Sequence, residues 1–191
     1  MPEEVFTTTA AGLVDTCTVY GSGSAFHNLK YVKNKSRAVV FVLQHPTIAD
    51  VDHVGYDKCK IRLRINSSDL EHIKRFEDQI KEKITDTKLG NMFMSSDVVA
   101  NIGSSITAQQ GTFATTAIKD VCDIFTQKEE QIPFEQWPRV LHKGQQLEYA
   151  IVEPFKLRYM NDSGAFTYRL RNFAVLTTNE PRQKTYSFDS D

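Results

Sequence analysis

The sequence contains little cysteine and no long apolar run. Its three cysteines, Cys17, Cys59 and Cys122, are an odd number, lie far apart and form no Cys-x-x-Cys pair. This spacing argues against a zinc knuckle or a disulfide framework and favours reduced thiols in apolar surroundings. No apolar stretch approaches the ~20 residues that a membrane-spanning helix requires. The first residues, MPEEVF, are acidic where a secretory signal is basic. We therefore expect a cytoplasmic protein.

The sequence also lacks the motifs of common enzyme families. It has no glycine-rich nucleotide loop, no Gly-x-Ser-x-Gly and no His-Glu-x-x-His, and no Cys–His pairing suggests a nucleophile. Candidate metal ligands, His45, Asp50, Asp52 and His53, lie within nine residues. However, no ligand from elsewhere in the chain is indicated, and Asp and His are ordinary loop residues. We expect no enzymatic activity, no cofactor and no bound metal.

An excess of charge of one sign is missing as well. The chain of 191 residues carries 23 basic and 24 acidic side chains. Its whole surface therefore does not attract a polyanion, and any basic surface must be local. A chain of this length fits one domain and buries enough surface to fold without metal or disulfide.

One stretch, residues 58–65 (KCKIRLRI), nevertheless concentrates positive charge. Basic and apolar residues alternate in it without a break. Since successive side chains of a β-strand point to opposite faces, the pattern predicts a strand with one apolar and one positively charged face. Like charges this close repel one another, and a polyanionic ligand would relieve that repulsion. The charged face consists of Lys58, Lys60, Arg62 and Arg64.

The residues around this stretch predict another strand and a helix. Residues 38–43 (AVVFVL) are mostly β-branched or aromatic and predict a buried strand. We expect it to pair antiparallel with residues 58–65 across a polar loop at 47–57. A capping box of Ser68 and Glu71 predicts the start of a helix, whose apolar stripe would pack on the sheet. The stripe is formed by Leu70, Ile73, Phe76, Ile80 and Ile84.

The middle of the chain predicts little regular structure. Residues 85–116 are rich in Ser, Thr, Gly, Asn and Gln, which favours an irregular insertion with a short helix at 97–102. Apolar residues return at helical spacing in 117–125 and predict a further helical segment there.

The C-terminal third predicts a β-hairpin. Large apolar residues recur at every second position in 147–151, in 155–159 and in 166–170, with basic residues of the opposite parity at 156, 158, 169 and 171. The sequence NDSG at 161–164 suits the turn between the two strands. Pro154 cannot donate to a β-ladder and must lie at an edge or a bulge. Residues 177–191 contain few apolar residues and predict a flexible tail.

Together these segments predict a mainly β protein. Five or more strands with one clear helix suit a five-stranded antiparallel barrel of the oligonucleotide/oligosaccharide-binding (OB) type. The domain would cover residues 1–176, with 85–116 as an irregular insertion and 177–191 as a flexible C-terminal tail.

Basic and aromatic residues recur on the predicted strands in a pattern that favours nucleic-acid binding. Phosphates are neutralised by Lys and Arg with release of counterions, and each base stacked on an aromatic ring contributes ~1–3 kcal/mol. A single basic pair on a solvent face is ordinary, but four in strict alternation, repeated more weakly in the hairpin, favour a binding surface. The candidate residues are Tyr31, Lys33, Lys58, Lys60, Arg62, Arg64, Lys156, Arg158, Tyr159, Arg169, Arg171 and Phe173.

Two segments resemble the single-stranded-DNA-binding proteins of tailed phages and large DNA viruses. Residues 4–20 (EVFTTTAAGLVDTCTVY) look like the first strand of the short-tailed-phage proteins. Residues 144–176 are similar to their final hairpin, with a glycine, a strand, a Pro-aromatic-Lys corner, a Gly-containing turn and a closing strand. Together they cover about a quarter of the chain.

The resemblance implies an OB barrel that coats single-stranded DNA during replication, recombination and repair. It also implies docking to replication proteins such as a polymerase or a helicase. A homodimer is an arrangement that it allows, and the host cytoplasm or nucleus is the compartment that it implies.

The tail departs from the pattern of this family. The phage proteins end in a long acidic run that competes with DNA for the groove and recruits partners. Here basic residues stand just upstream of only two late acidic residues, and two aromatic residues remain. The candidate partner-binding residues of the tail are Tyr186, Phe188, Asp189 and Asp191.

Two other functions are compatible with the sequence. A structural or assembly β-domain, for example in a virion, would use the basic face to bind an acidic partner. An OB domain that binds RNA is the other alternative, because stacking and phosphate contacts hardly distinguish the two sugars.

Overall fold

The structure, a computed structural model, describes residues 6–7, 17–22, 26–31, 39–89, 92–160 and 162–175. Before residue 41, and at 108, 156, 160 and 172, it describes the backbone only.

Strands dominate the described part of the chain. Its α-helices are α1 (Ser67–Ile84), α2 (Ser96–Ala100) and α3 (Trp137–Val140). None of these described helices is both long and apolar enough to cross a membrane. Its strands are β1 (Phe6–Thr7), β2 (Cys17–Ser22), β3 (Phe26–Tyr31), β4 (Val39–Gln44), β5 (Thr47–Val54), β6 (Lys58–Arg64), β7 (Lys88–Leu89), β8 (Met92–Phe93), β9 (Ile102–Gly103), β10 (Ile106–Thr107), β11 (Thr112–Ile118), β12 (Asp123–Thr126), β13 (Leu147–Met160) and β14 (Ser163–Val175).

Six of these strands form a curled ring, in which β4 and β5 follow one another as the two halves of one bent strand. Antiparallel pairs join β4 to β13, β13 to β14, β11 to β6 and β6 to β5. β14 pairs with β11 in parallel. The turn between β4 and β5 is bonded to the chain at the start of β13. The His45 amide donates to the Glu148 carbonyl at 3.0 Å, and the Ile48 amide donates to the Gln145 carbonyl at 2.8 Å. A five-stranded, partly open barrel is the OB architecture, and the chain has an OB-like fold.

Helix α1 packs its apolar stripe into the core of this barrel. Ile73, Phe76 and Ile80 are fully buried, and the ring of Phe76 meets that of Phe41 edge to face at 5.4 Å. The helix begins two residues earlier than the capping box predicted, because the cap is Asn66, whose side chain accepts the amide of residue 69 at 2.8 Å, and not Ser68. The amphipathic helix itself is confirmed.

Two predicted elements are wrong. The supposed polar loop at 47–57 is mostly strand β5, which pairs with β6, whereas residues 39–44 pair with β13. The polar residues of β5 lie on its solvent side, so the segment looked like a loop in sequence. Residues 117–125 are not helical: they contain the end of β11 and the start of β12, because pairing with β6 and β14 overrides the helical spacing.

The C-terminal hairpin is confirmed as β13 and β14. The register shifts between Pro154 and Lys156, so the proline lies at a bulge as expected. Gly164 is required at the turn by close packing, since a Cβ atom there would lie 2.8 Å from Cδ2 of Tyr159 and 3.0 Å from the Arg158 carbonyl oxygen.

Candidate nucleic-acid interface

The basic row of β6 lies on the outside of the barrel. Lys58, Lys60 and Arg64 are exposed and Arg62 is half-buried, while the alternate residues are in the core. The strand and its two faces are therefore as the alternation predicted.

On one side of β6, the same face of the sheet carries uncharged residues on β11 and then arginine on β14. Lys60 lies opposite Thr116 on β11, and Thr116 lies opposite Arg169 on β14. Residues directly opposite in a sheet share a face, so Lys60 and Arg169 are on one surface, about 10 Å apart by strand spacing. The fold thus places β14 of the C-terminal hairpin on the same surface as β6, with one strand between them.

Arg62 is held in place within this face. Its Nη1 donates to Oγ1 of Thr107 at 3.0 Å and reaches Oγ1 of Thr112 at 3.5 Å. Thr107 belongs to the short strand β10, which pairs with the start of β11. Strand β10 and the start of β11 therefore contribute directly to the candidate surface by orienting one of its four cations.

Behind this surface, the carboxylate of Glu77 joins the helix to the barrel. Its two oxygens accept the hydroxyls of Ser104 and Ser105, both at 2.5 Å, and one also accepts the Ser105 amide at 3.2 Å. The hydroxyl of Tyr168 donates to the same carboxylate at 3.0 Å. Because Ser105 lies just before β10, Glu77 fixes the segment that carries Thr107.

The other side of the basic row is acidic. Asp50 and Asp52 of β5 lie directly opposite Arg62 and Lys60, and both are exposed. Among the described residues, no ion pair joins either carboxylate to the basic row. Asp50 and Asp52, two of the candidate metal ligands, thus border the basic face of β6. No group of three or more His, Cys, Asp or Glu side chains in the described part is arranged to hold a metal ion.

A groove of about 340 Å³ runs along this surface. The acidic residues of β5 line one side of it, Lys60, Arg62 and the outward residues of β11 line its floor, and Phe166, Thr167 and Tyr168 of β14 line the other side.

The two arginines of β14 form ion pairs within the protein. Arg169 and Arg171 both pair with Oε1 of Glu153, the latter at 3.6 Å, and the side chains of the arginines are only 24% and 26% exposed. The guanidinium of Arg169 also lies over the ring of Phe155, 4.4 Å from its centroid. Burial raises the pKa of Glu153, and the hydrogen bond and charge of Arg169 act in the opposite direction. The cluster of two arginines and one carboxylate keeps a net positive charge when Glu153 is ionised.

Two candidate aromatic residues are in the wrong place for stacking. Tyr159 is 7% exposed and Phe173 is fully buried, so a base cannot reach the face of either ring. Tyr159 shares the inward face of β13 with Leu157. Phe173 has the parity of Arg171, but β14 gains an extra residue at 171 relative to β13, where Asn172 and Leu170 pair with consecutive residues. This bulge turns the following residues to the opposite face.

An exposed aromatic residue that the sequence pattern did not indicate lies beside the basic row. Tyr56 is 99% exposed at the tip of the β5–β6 hairpin, next to Gly55, whose φ is +75°. It stands two residues before Lys58. The signal was a Gly-Tyr-Asp turn, which is recognisable only once residues 47–54 are identified as a strand.

Several other candidates lie at the limits of the described residues. Arg158 is exposed on β13. Tyr31 ends β3 opposite Cys17, and Lys156 lies opposite Thr167, with only their backbones described. Lys33 and the tail residues Tyr186, Phe188, Asp189 and Asp191 lie outside the described residues.

Comparison with known proteins gives a result for the fold alone. No protein-family model matches the chain, and no curated protein matches its sequence. Among solved structures, the C-terminally truncated single-stranded DNA-binding protein from bacteriophage Enc34 is similar, with 10% identity over 89% of this chain and 100% of that chain and a TM-score of 0.50. The Enc34 protein without that truncation gives 10% identity over 90% of this chain and 96% of that chain, also with a TM-score of 0.50. At this identity the likeness shows a shared fold.

Proposed function

We propose that this protein binds single-stranded DNA without sequence preference, through the outward face of β6 and the groove beside it. The observation that carries the proposal is a row of four basic side chains on the open face of an OB-like barrel. OB folds bind oligonucleotides on the face of their second and third strands and with the loops that join strands one to two and four to five. In the ring of this protein, β4 and β5 together make the first, bent strand, and β6 and β11 are then the second and third strands in chain order.

The fold-level likeness supports the same assignment. The similar solved structures are of a protein named for binding single-stranded DNA, and they cover 89% and 90% of this chain. The basic strand and the hairpin of this chain occupy one surface of that shared fold.

The basic side chains are suited to binding phosphates, and an aromatic side chain is suited to binding a base. Lys58, Lys60 and Arg64 reach solvent without a described ion pair and are suited to phosphate contacts. If these three and Arg62 each neutralise one phosphate, the logarithm of affinity falls with the logarithm of salt with a slope of roughly −3. Tyr56 provides a free ring at the end of the row for stacking a base.

Such a protein coats and protects single strands during replication, recombination or repair and carries out no chemistry itself. The tail residues 177–191 are the proposed contact for replication proteins such as a polymerase or a helicase. Residues 1–176 would then bind DNA without the tail.

A fluorescence titration of labelled oligo-dT at two salt concentrations tests the proposal. We expect nanomolar-to-micromolar affinity that weakens steeply with salt. Matched RNA and duplex DNA competitors identify the preferred ligand. Affinity that is independent of salt, or equal for duplex and single strand, would contradict the proposal. A stable oligomer that is indifferent to nucleic acid would instead favour an assembly protein.

A further inference from the structure

The acidic border of the groove has a role of its own. We infer that Asp50 and Asp52 make the groove selective for a single strand over a duplex, because they repel a second phosphate backbone. The inference rests on the proposed function and adds to it the residues that determine which form of DNA is bound.

The two carboxylates act directly on the binding surface. Asp52 lies opposite Lys60 and Asp50 opposite Arg62, and facing Cβ atoms in an antiparallel pair are about 5 Å apart. Both aspartates are exposed. Arg62 donates to Thr107 and Thr112, and no described ion pair joins it to Asp50. Their negative charge is therefore available to a ligand.

The two sides of β6 therefore differ in charge. On the side of β11, the residues opposite Arg62 and Lys60 are Ala114 and Thr116, which carry no charge. The next strand, β14, presents Arg169. A phosphate backbone is thus attracted over β6, β11 and β14 and repelled over β5.

The attractive strip is narrow. It extends from β6 to β14, two strand spacings or about 10 Å. Beyond β14 lies Glu153, whose charge is matched by Arg169 and Arg171. The strip has room for one backbone, and the free acidic charge stands on the β5 side.

A duplex that lies across the groove brings a second phosphate backbone towards this border, whereas a single strand does not. Its two backbones are separated by a minor groove ~6 Å wide and a major groove ~12 Å wide, to which the width of the backbones themselves is added. When one backbone occupies the strip, the other lies over or beyond its edge. A single strand places uncharged bases there instead.

The test is the double substitution Asp50→Asn with Asp52→Asn in the full chain. Asparagine keeps the shape of the side chain, and both positions are exposed, so the fold should be retained, as a thermal melt will verify. Fluorescence anisotropy is measured with oligo-dT and with a blunt duplex of equal length. Thymine lacks the exocyclic amino groups of the other bases, so oligo-dT offers a carboxylate fewer donors than a mixed-sequence strand and reports mainly the effect on phosphates.

We expect the affinity for duplex to rise about fivefold to tenfold and that for oligo-dT to rise clearly less, as for two exposed charges acting at close range. The matched control is Asp78→Asn with Glu82→Gln, which changes the net charge equally on the exposed side of α1. The control should leave the ratio of the two affinities unchanged.

Other outcomes overturn the inference. An equal rise for both ligands would mean that the aspartates act only through overall charge. An affinity for duplex that stays the same or falls would mean that the aspartates do not select against duplex. If the wild-type protein fails to bind oligo-dT at all, the proposed function itself is wrong, so the two failures are distinguishable.

Discussion

Lys60 and Arg169 lie on one row of the barrel, two strands apart, with Thr116 between them. One residue comes from the basic strand and the other from the C-terminal hairpin, so the row joins the two basic segments into one surface. The two differ in their surroundings: Arg169 pairs with Glu153, whereas Lys60 is exposed. The exposed lysine is therefore the better site for a test of phosphate binding.

Substitution of two exposed cations of β6 tests their contact with phosphates. The variant Lys60→Ala with Arg64→Ala should bind oligo-dT on the order of tenfold more weakly at low salt. Its salt slope should be shallower by about 1.4, since each phosphate contact on a single strand contributes ~0.7. Titrations at several salt concentrations measure both quantities.

The matched control for this variant is Lys74→Ala with Lys88→Ala, which removes two exposed charges from α1 and β7. The control should change the slope little. The free energy of unfolding of both variants should lie within about 0.5 kcal/mol of the wild-type value, as is usual for surface substitutions. Equal losses in the two variants would show that the basic row is not the binding surface.

Truncation of Tyr56 tests base stacking at the hairpin tip. Tyr56→Ala should weaken oligo-dT binding by ~1–3 kcal/mol, the contribution of one stacked base. The salt slope should stay unchanged because no charge is lost. Tyr56→Trp should retain binding, and the exposed side chain should make stability insensitive to either change. Unaltered affinity of the alanine variant would exclude Tyr56 from the binding surface.

Removal of the Glu77 carboxylate should destabilise the fold. Glu77→Ala leaves the hydroxyl of Tyr168 and the two serine hydroxyls without their acceptor, and we expect about 3 kcal/mol lower free energy of unfolding. Tyr168→Phe, which removes one of these bonds, should cost about 1.5 kcal/mol. Urea denaturation measures both. The exposed Glu82→Ala is the control, and a loss as large in that variant would contradict the role of the buried carboxylate.

The buried thiols should make stability fall at alkaline pH. Burial raises the pKa of Cys59 to about 12 from an ordinary value of 9.0. Between these values the folded state keeps a proton that the unfolded state has lost. The free energy of unfolding therefore falls as pH rises from about 9 towards 12, and the full contribution is present below pH 9. Denaturation at pH 8 and pH 10 measures the change.

Cys59→Ala has no thiol at this position and should lose less stability between the two pH values. At pH 8, iodoacetamide should label Cys59 and Cys122, whose pKa burial also raises, only after unfolding in urea. Peptide mass mapping separates them from Cys17. Rapid labelling of Cys59 in the native protein would contradict its burial.

The basic strand, the amphipathic helix and the hairpin were predictable because their patterns are local. Alternation places Lys60 outside and Ile61 inside whatever the strand pairs with. Strand β5 was not predictable in the same way, since its exposed residues include Asp50 and Asp52 and make the segment resemble a loop. Residues 117–125 show the converse, because apolar residues at helical spacing were recruited into two strands.

The stacking residues show where alternation fails. Parity placed Phe173 with Arg171, and only the bulge at 171 moves Phe173 into the core. A bulge depends on the register of two strands, which no single strand encodes. Tyr56 shows the same limit, because its exposure depends on a hairpin that was not predicted.

The sequence alone determined which face of β6 is charged, that a helix packs on the sheet and that a hairpin ends the barrel. Local periodicity is enough for each of these. Only the tertiary structure decided that Arg169 lies beside Lys60 and that Asp50 and Asp52 border the same groove. These neighbours come from strands that are paired by burial and register rather than by a local pattern, so the selectivity of the surface is a property of the folded barrel.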